Sequence, residues 1–399
     1  MLSASNVHAL DKSKIERQFQ TWLKKDLWRE AKARGISKRN FNTAFKGVTI
    51  NWKLPDLVPP GTKAKPSRPQ AQAEFKSPSR YFNENNIGSI VATGRKLAAK
   101  HKNLLARIEK KYGVPGRFLL AIWGRESAFG RVKIPHNAFR VLGTKAFMST
   151  RKELFRKEVL AGLEIIQKGY ASSAQMKSSW AGAMGQPQFL PSSYLEYAVD
   201  FDGDGKRNIW TSTADTLASI ANYLKLYGWQ SGRDWGFEAA IPQNITCAYE
   251  GPDQMRLISV WANAGVKRIS GKPFPAHELT KNGAVLMPAG RFGPAFIATP
   301  NFYTIKKYNN SDLYALFVGH VGDRIQYSNK PLVAKWGKVT GLTRGNVMKM
   351  QKALIAQGYD VGGADGLAGF KTRRSIGDWQ GKNGLKPTCF PSKDLVKRF

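Results

Sequence analysis

Acidic residues are scarce in this chain. Only 28 Asp and Glu stand against 63 Lys and Arg in 399 residues, a net charge of +35. Such a field favours an anionic partner: nucleic acid, an anionic membrane surface or an acidic polymer. Cysteine is rarer still. Cys247 and Cys389 are the whole complement, and no CxxC or Cys/His cluster suggests a structural zinc. Their spacing leaves open whether they pair. Zinc-finger spacing, a basic zipper and a ribonucleoprotein motif are all missing, so nucleic acid explains the charge and nothing else. No apolar run approaches the ~18 residues of a membrane span. The N-terminus, "MLSASNVHALDKSKIERQFQ", lacks a signal peptide's apolar core. The expected form is either cytoplasmic or a mature or trimmed chain with an added Met. What is present is length for two or three domains and an ordinary 42% of hydrophobic residues.

The run "IERQFQTWLKKDLWREAKARGISKRNFNTAF" reads as amphipathic helix broken at Arg34-Gly35. "NWKLPDLVPPGTKAKPSRPQAQAEF" is Pro-rich and aperiodic, an extended segment. Helical patterning fills 87–167, with breaks at Gly113-Val114-Pro115 and near Gly130. It resumes through Trp180, over 191–199 and over 213–227. Then the texture changes. "FEAAI", "GAVLMPAG", "PAFIAT" and "FYTIKKY" are short strand-like runs among Gly and Pro. A helix opened by Ser311 as N-cap follows, then a linker candidate, "YSNKPLVAKWGKVTG", and a module of about 60 residues, an ordinary size for a small independent domain.

One carboxylate stands out. In "KYGVPGRFLLAIWGRESAFG" a helix places Phe118, Leu119, Ile122 and Trp123 on one face, and Glu126 falls on that same face. A glutamate there is either paired with a cation such as Arg125 or Arg131, or held in a pocket. Burial disfavours its charged form and raises its pKa, which suits it to protonating a glycosidic oxygen.

"GRESAFG" resembles the Glu-Ser-x-Phe-Gly signature of lytic transglycosylases. With "SSWAGAMGQPQFLPSSYLEYAVDFDGDGKRNIWTSTADTLASIANYL" after it, the chain is similar to the membrane-bound lytic transglycosylase B family, glycoside hydrolase family 103, from about Phe19 to about Gln326. The resemblance implies a mainly α (α+β) architecture: a lysozyme-like catalytic domain with a small β subdomain. It implies cleavage of peptidoglycan between N-acetylmuramic acid (MurNAc) and N-acetylglucosamine (GlcNAc) without water, leaving 1,6-anhydro-MurNAc ends. Ordinary glycosidases need two carboxylates. Here Glu126 alone would serve as acid and then as base, because the C6 hydroxyl of the same sugar attacks C1 at high effective molarity. Ser179, Gln188, Phe189, Arg151, Tyr308, Asn309 and Tyr314 match substrate-binding positions, the last three within "YNNSDLYAL". Trp180 is expected in the core. Where the family commonly has a Tyr-Asp pair before two Arg, "KAFMSTRKELF" has Phe147, Met148 and Thr150, while Arg151 survives.

In "DFDGDGKRNIWTSTAD", Asp200, Asp202 and Asp204 occupy positions 1, 3 and 5 of an EF-hand-like loop, but Thr211 stands where the bidentate Glu belongs. The bland alternative is an Asp-Gly turn braced by its own hydrogen bonds. The resemblance implies a shortened calcium site, adding Lys206 and Asp215 to the ligand set, structural and not required for chemistry. "LTRGNVMKMQKALIAQGYDVGGADGLAGFKTRRSIGDWQGKNGL" resembles the three-helix peptidoglycan-binding type 1 domain, through marks such as Val347, Gln351, Leu354 and Trp379-Gln380.

The expected division is a catalytic region 1–328, a linker 329–340 and a wall-binding module 341–399. Within the first come N-terminal helices and extended segment (1–86), helical core (87–227), small β subdomain (228–307) and returning helix (308–328). Expected partners are peptidoglycan glycan strands, with no nucleic acid and no transmembrane segment. The expected setting is periplasmic and monomeric, open to association with wall-synthesis or envelope complexes. A hydrolytic muramidase would need a second carboxylate, and Glu153, Glu158 and Glu196 are not obviously placed for that. A non-catalytic wall-binding protein would not need Glu126.

Overall fold

A computed structural model describes residues 10–64, 78–337 and 342–399. Part of the Pro-rich segment and part of the linker candidate lie outside the described residues. The chain forms two compact units, each made of two stretches: 1–67 with 126–220, and 68–125 with 221–399. The division runs through helices Gly116–Ser127 and Thr213–Leu226.

The first unit opens with helix Lys12–Trp22, a π turn Leu23–Leu27 and helix Trp28–Ala33. Ile15, Phe19, Leu23, Leu27 and Ala31 are all buried. They recur every four residues, more than the 3.6 of an α-helix, so an uninterrupted helix would rotate the row off the core. The wider π turn takes up the excess. Gly35 (φ +76°) ends this segment, and Ser37 caps helix Lys38–Phe45 by accepting from the Asn40 N–H. Helices Ala138–Met148 and Lys152–Gln167 pack against each other, the first buried along nearly its whole length. Strands β1 (His136–Asn137) and β2 (Lys177–Ser178) pair antiparallel beside them.

The second unit holds helices Glu84–Lys100, Lys102–Tyr112, Pro300–Tyr308 and Asp312–Gln326. Its sheet has five antiparallel strands: β3 (Gly236–Ala240), β4 (Arg256–Leu257), β5 (Lys267–Arg268), β6 (Asn282–Leu286) and β7 (Ala295–Ala298), in the order β4-β6-β7-β3-β5. Three of the strand-like runs are strands. The fourth, "FYTIKKY", is helical. Thr299 caps it by accepting from the Asn301 N–H, Pro300 takes the first turn, and Phe302 and Ile305 bury one helical face. The cap and the three-residue spacing outweigh the β-propensity of its aromatic and branched residues.

The C-terminal module is a three-helix fold: Arg344–Ala356, Phe370–Lys382 and Lys393–Val396, around Val347, Met350, Leu354, Ile376 and Leu395. Gln351 ties it together. Its amide donates to the Leu367 carbonyl (2.9 Å) and Thr372 hydroxyl (3.0 Å) and accepts from the Gly366 N–H (2.7 Å). The module is joined covalently to the 3-10 turn Cys247–Tyr249, between β3 and β4, by a Cys247–Cys389 disulfide, which settles the pairing left open by spacing. Ion pairs Arg373–Glu250 (2.6 Å) and Arg374–Asp253 (2.7 Å) reinforce that seam.

Candidate functional site

Helix Gly116–Ser127 carries Glu126. Gly113 (φ +74°) closes the preceding helix, its N–H donating to the Glu109 carbonyl at 2.7 Å, and Pro115 precedes the new start. Phe118 to Ile122 are fully buried, so the helix is apolar all round in its middle and not on one face only. Exposure begins at Arg125, and Glu126 is half-buried. The neighbouring cations make other contacts. Arg125 donates to the Tyr81 hydroxyl (2.9 Å) and lies over the Phe317 ring, and Arg131 Nε donates to the Ala128 carbonyl (3.0 Å).

The backbone after Glu126 is strained. Ala128 (φ +48°), Phe129 (φ +61°) and Gly130 (φ +77°) are three successive left-handed residues, a conformation L side chains rarely adopt. The Ser127 hydroxyl braces the turn by accepting from the Gly130 N–H at 3.1 Å. Any Cβ at Gly130 would overlap the Gln186 carboxamide, whose nitrogen donates to the Trp210 carbonyl (3.0 Å). Ser127 and Gln186 therefore hold the end of the glutamate's helix. Neither was singled out in the sequence; the signals were the glycine of "ESAFG" and the "GQPQF" run.

In the same unit, Ser179 sits in a turn closed by the Gly182 N–H, and its hydroxyl accepts from the Ala181 and Ala183 N–H groups. That turn carries Trp180 outward. Trp180 is 50% exposed, not in the core, with the Lys145 ammonium 5.0 Å from its ring. Gln188 is left-handed (φ +56°), its amide donating to the Gly185 carbonyl. Phe189 is only 3% exposed and packs edge-on against Tyr197. Arg151 is exposed beside Phe155. Phe147 and Met148 have structural uses: Phe147 meets the rings of Phe19 and Trp22, each at 5.5 Å, and Met148 is fully buried.

In the second unit, Tyr308 and Tyr314 lie parallel at 6.4 Å, with Asn309 exposed between their helices. Ser311 is the N-cap expected of it, accepting from the Tyr314 N–H.

The Asp loop is compact. Asp200, Asp202, Asp204 and Asp215 each bring a carboxylate oxygen within 4.8 Å of the others. Asp200 accepts from the Gly203 and Gly205 N–H groups, and Asp215 from those of Phe201 and Asn208. Burial, with the nearby Asp202 charge, raises the Asp215 pKa despite those donors. Among the described residues no cation pairs with the four. They fit a hard divalent ion, which takes oxygen ligands and would balance their charge. Lys206 sits in the loop, its N–H donating to Asp204.

A family model described as Transglycosylase SLT domain matches residues 18–323. The chain belongs to the lytic transglycosylase SLT family. It is a lytic murein transglycosylase, and a second family model, for a peptidoglycan binding domain, matches residues 343–397. The enzyme is 31% identical over 279 residues to membrane-bound lytic murein transglycosylase B of Escherichia coli (strain K12), covering 68% of this chain and 73% of that one. Its fold is similar to that of SltB3 from Pseudomonas aeruginosa, solved with NAG-NAM-pentapeptide. There the TM-score is 0.85 at 36% identity, covering 95% of this chain and 99% of the other. SltB3 solved with NAG-anhNAM-pentapeptide gives a TM-score of 0.82. Slt35 from Escherichia coli in complex with calcium gives 0.53 at 30% identity, over 64% of this chain and 80% of that one. No helix among the described residues is long and apolar enough to cross a membrane.

Proposed function

We propose that the enzyme cleaves the MurNAc-β-1,4-GlcNAc bond without water, with Glu126 acting first as acid and then as base. The observation that carries this is the half-buried carboxylate at the end of an apolar helix, followed by a strained, braced turn. The protonated carboxyl gives its proton to the glycosidic oxygen as the C1–O4 bond breaks. The C6 hydroxyl of the same muramic acid bonds to C1, and its proton passes to the Glu126 carboxylate. The 1,6-anhydro ring forms and the acid is regenerated. The substrate-like and anhydro-product-like ligands of SltB3 support this assignment. So does the use of Glu158, a second carboxylate in the unit that holds Glu126: it is buried, accepting from the Ser192 hydroxyl and N–H.

Ser179, Gln188, Phe189, Arg151, Tyr308, Asn309 and Tyr314 serve substrate binding. The Ser179 hydroxyl, although it accepts from two backbone groups, has a proton to donate to a sugar oxygen. Buried Phe189 and Tyr314 act by packing more than by direct contact. The module of the last 60 or so residues, roughly a small domain, holds the wall polymer. Asp200, Asp202, Asp204 and Asp215, with Lys206 in the same loop, form a structural calcium site, as the calcium complex of Slt35 suggests. The ion would stiffen the loop and supply no step of the reaction. The disulfide suits an oxidising compartment and, with a peptidoglycan substrate, supports a periplasmic setting.

Mass spectrometry of muropeptides released from purified sacculi tests the reading. Anhydro ends are expected. Reducing MurNAc ends from wild-type enzyme would instead make it a hydrolytic muramidase.

A further inference from the structure

We propose that the wall-binding module also positions the substrate-binding turn 308–314, through Arg373. This rests on the reading of that turn as a substrate site. Arg373 belongs to the module, on helix Phe370–Lys382, and is 2% exposed. Its guanidinium does three things. Nε and one terminal nitrogen grip both oxygens of Glu250, beside the disulfide. That terminal nitrogen also reaches Asp312 Oδ2 at 3.0 Å. The other terminal nitrogen donates to the Ala368 carbonyl within the module.

Asp312 is the first residue of its helix, one after the Ser311 cap and two before Tyr314. Its other oxygen takes the Lys306 ammonium at 2.7 Å, from the helix that ends at Tyr308. Burial alone would raise the Asp312 carboxyl, but Lys306 and Arg373 hold it below its ordinary value. Asp312 is thus clamped from both sides. One clamp comes from the helix before the turn and the other from the module. Two carboxylates meet two cations, so the cluster is neutral as a whole, and removing one member leaves a buried charge unanswered.

The module also lines the space beside the turn. A cavity of about 480 Å³ is walled by Asn309 to Leu313 on one side and by Val361 to Gly363 and Leu367 to Arg373 on the other. Lost anchorage should therefore appear in saccharide binding and not in proton transfer. A contact made equally in ground and transition states moves KM and leaves kcat.

The experiment measures kcat and KM on a soluble, uncross-linked glycan oligomer, at a temperature where every variant is folded. Arg373→Gln is expected to raise KM about tenfold with kcat within about twofold, the pattern of lost uniform binding. Glu250→Gln leaves the Arg373–Asp312 contact, so it should lower Tm and leave KM near wild type. The double variant Glu250→Gln/Arg373→Gln removes the unanswered Glu250 charge. It should recover Tm while keeping the high KM, and it preserves the test if the single Arg373 variant does not fold. Arg373→Lys keeps the charge without the fork and should fall between. A folded Arg373→Gln enzyme with wild-type KM overturns the proposal, as does a KM that recovers together with Tm in the double variant. Asn309→Ala separates the two readings. If it raises KM and Arg373→Gln does not, only the module's role falls. If it leaves KM unchanged, the turn is not a substrate site.

Discussion

Glu126 and Glu250 are both glutamates set among apolar residues, and they meet opposite fates. Glu250 is 0% exposed. Both its oxygens face the Arg373 guanidinium, and one also accepts from the Met287 N–H. Its charge is committed to holding two parts of the chain together. Glu126 stands half-buried where its helix emerges, with the flanking arginines drawn to Tyr81 and to the Ala128 carbonyl. The contrast teaches that burial alone does not point to a catalytic acid. The role proposed for Glu126 rests instead on partial access and on the strained turn that follows it.

Exchanging charge for amide at the two positions should give opposite results. Glu126→Gln should lower turnover about 10²–10⁴-fold, the usual worth of a positioned acid–base group, and leave Tm unchanged. Retention of a tenth of wild-type activity would move the acid elsewhere. Glu250→Gln should leave turnover per folded enzyme intact and cost about 3–5 kcal/mol of stability, because Arg373 loses its main partner in a dry site. Chemical denaturation read beside turnover decides both, and equal stability losses at the two sites would erase the distinction.

The covalent half of the seam can be removed separately. Cys247→Ser with Cys389→Ser opens a link between residues 142 apart and should cost about 2–4 kcal/mol. A reductant should lower the Tm of the wild type and not that of the variant. An unchanged Tm in both would mean that the ion pairs alone hold the seam.

The acidic loop is a third setting for carboxyl groups, in which only Asp215 is buried and no side-chain cation among the described residues answers the four. Calcium should raise Tm, by about 2.7 kcal/mol of stability at 100-fold saturation. Asp202→Asn with Asp204→Asn should abolish the effect. Identical melting curves with calcium and with a chelator would leave a braced Asp-Gly turn.

Much of this was legible in the chain. Local motifs carried the glutamate helix, the acidic loop, the Ser311 cap and the module, because each is written in residues close in sequence. What failed has two causes: local turns and caps that composition and propensity misread, and partners distant in sequence. Trp180 read as core by composition, yet the Gly182 turn carries it outward. "FYTIKKY" read as strand by propensity, yet Thr299 and Pro300 start a helix. The Arg373–Glu250–Asp312–Lys306 cluster was invisible, since its members lie up to 123 residues apart and each alone looks like a surface charge. The strain after Glu126 was hidden for another reason: Ala128 and Phe129 are not residues that ordinarily announce a left-handed turn.

The smallest expected effect tests how the fold treats a buried group that is given no opposite charge among the described residues. His320 is 6% exposed on helix Asp312–Gln326, near the Phe82 ring, and its charged neighbour Arg324 pairs with Glu84. Burial, aided by the Arg324 charge, lowers its pKa from 6.5 to about 3. The folded state therefore holds His320 neutral while the unfolded chain takes up a proton below about pH 6.5. Stability from this group is full above that pH and is lost as pH falls towards the folded value. Between pH 6.5 and 4.5 the loss should be about 2 kcal/mol. Asp323 pulls the other way: burial and the Asp234 charge raise its pKa against the opposing Arg117, so its contribution to stability falls as pH rises. A bare pH profile mixes the two, whereas the difference between wild type and His320→Gln isolates the histidine. Unfolding free energies at both pH values should show the variant losing less on acidification, by about that same 2 kcal/mol. A difference that does not change with pH would mean that the folded protein admits the proton, and that neutrality is not how this helix tolerates its histidine.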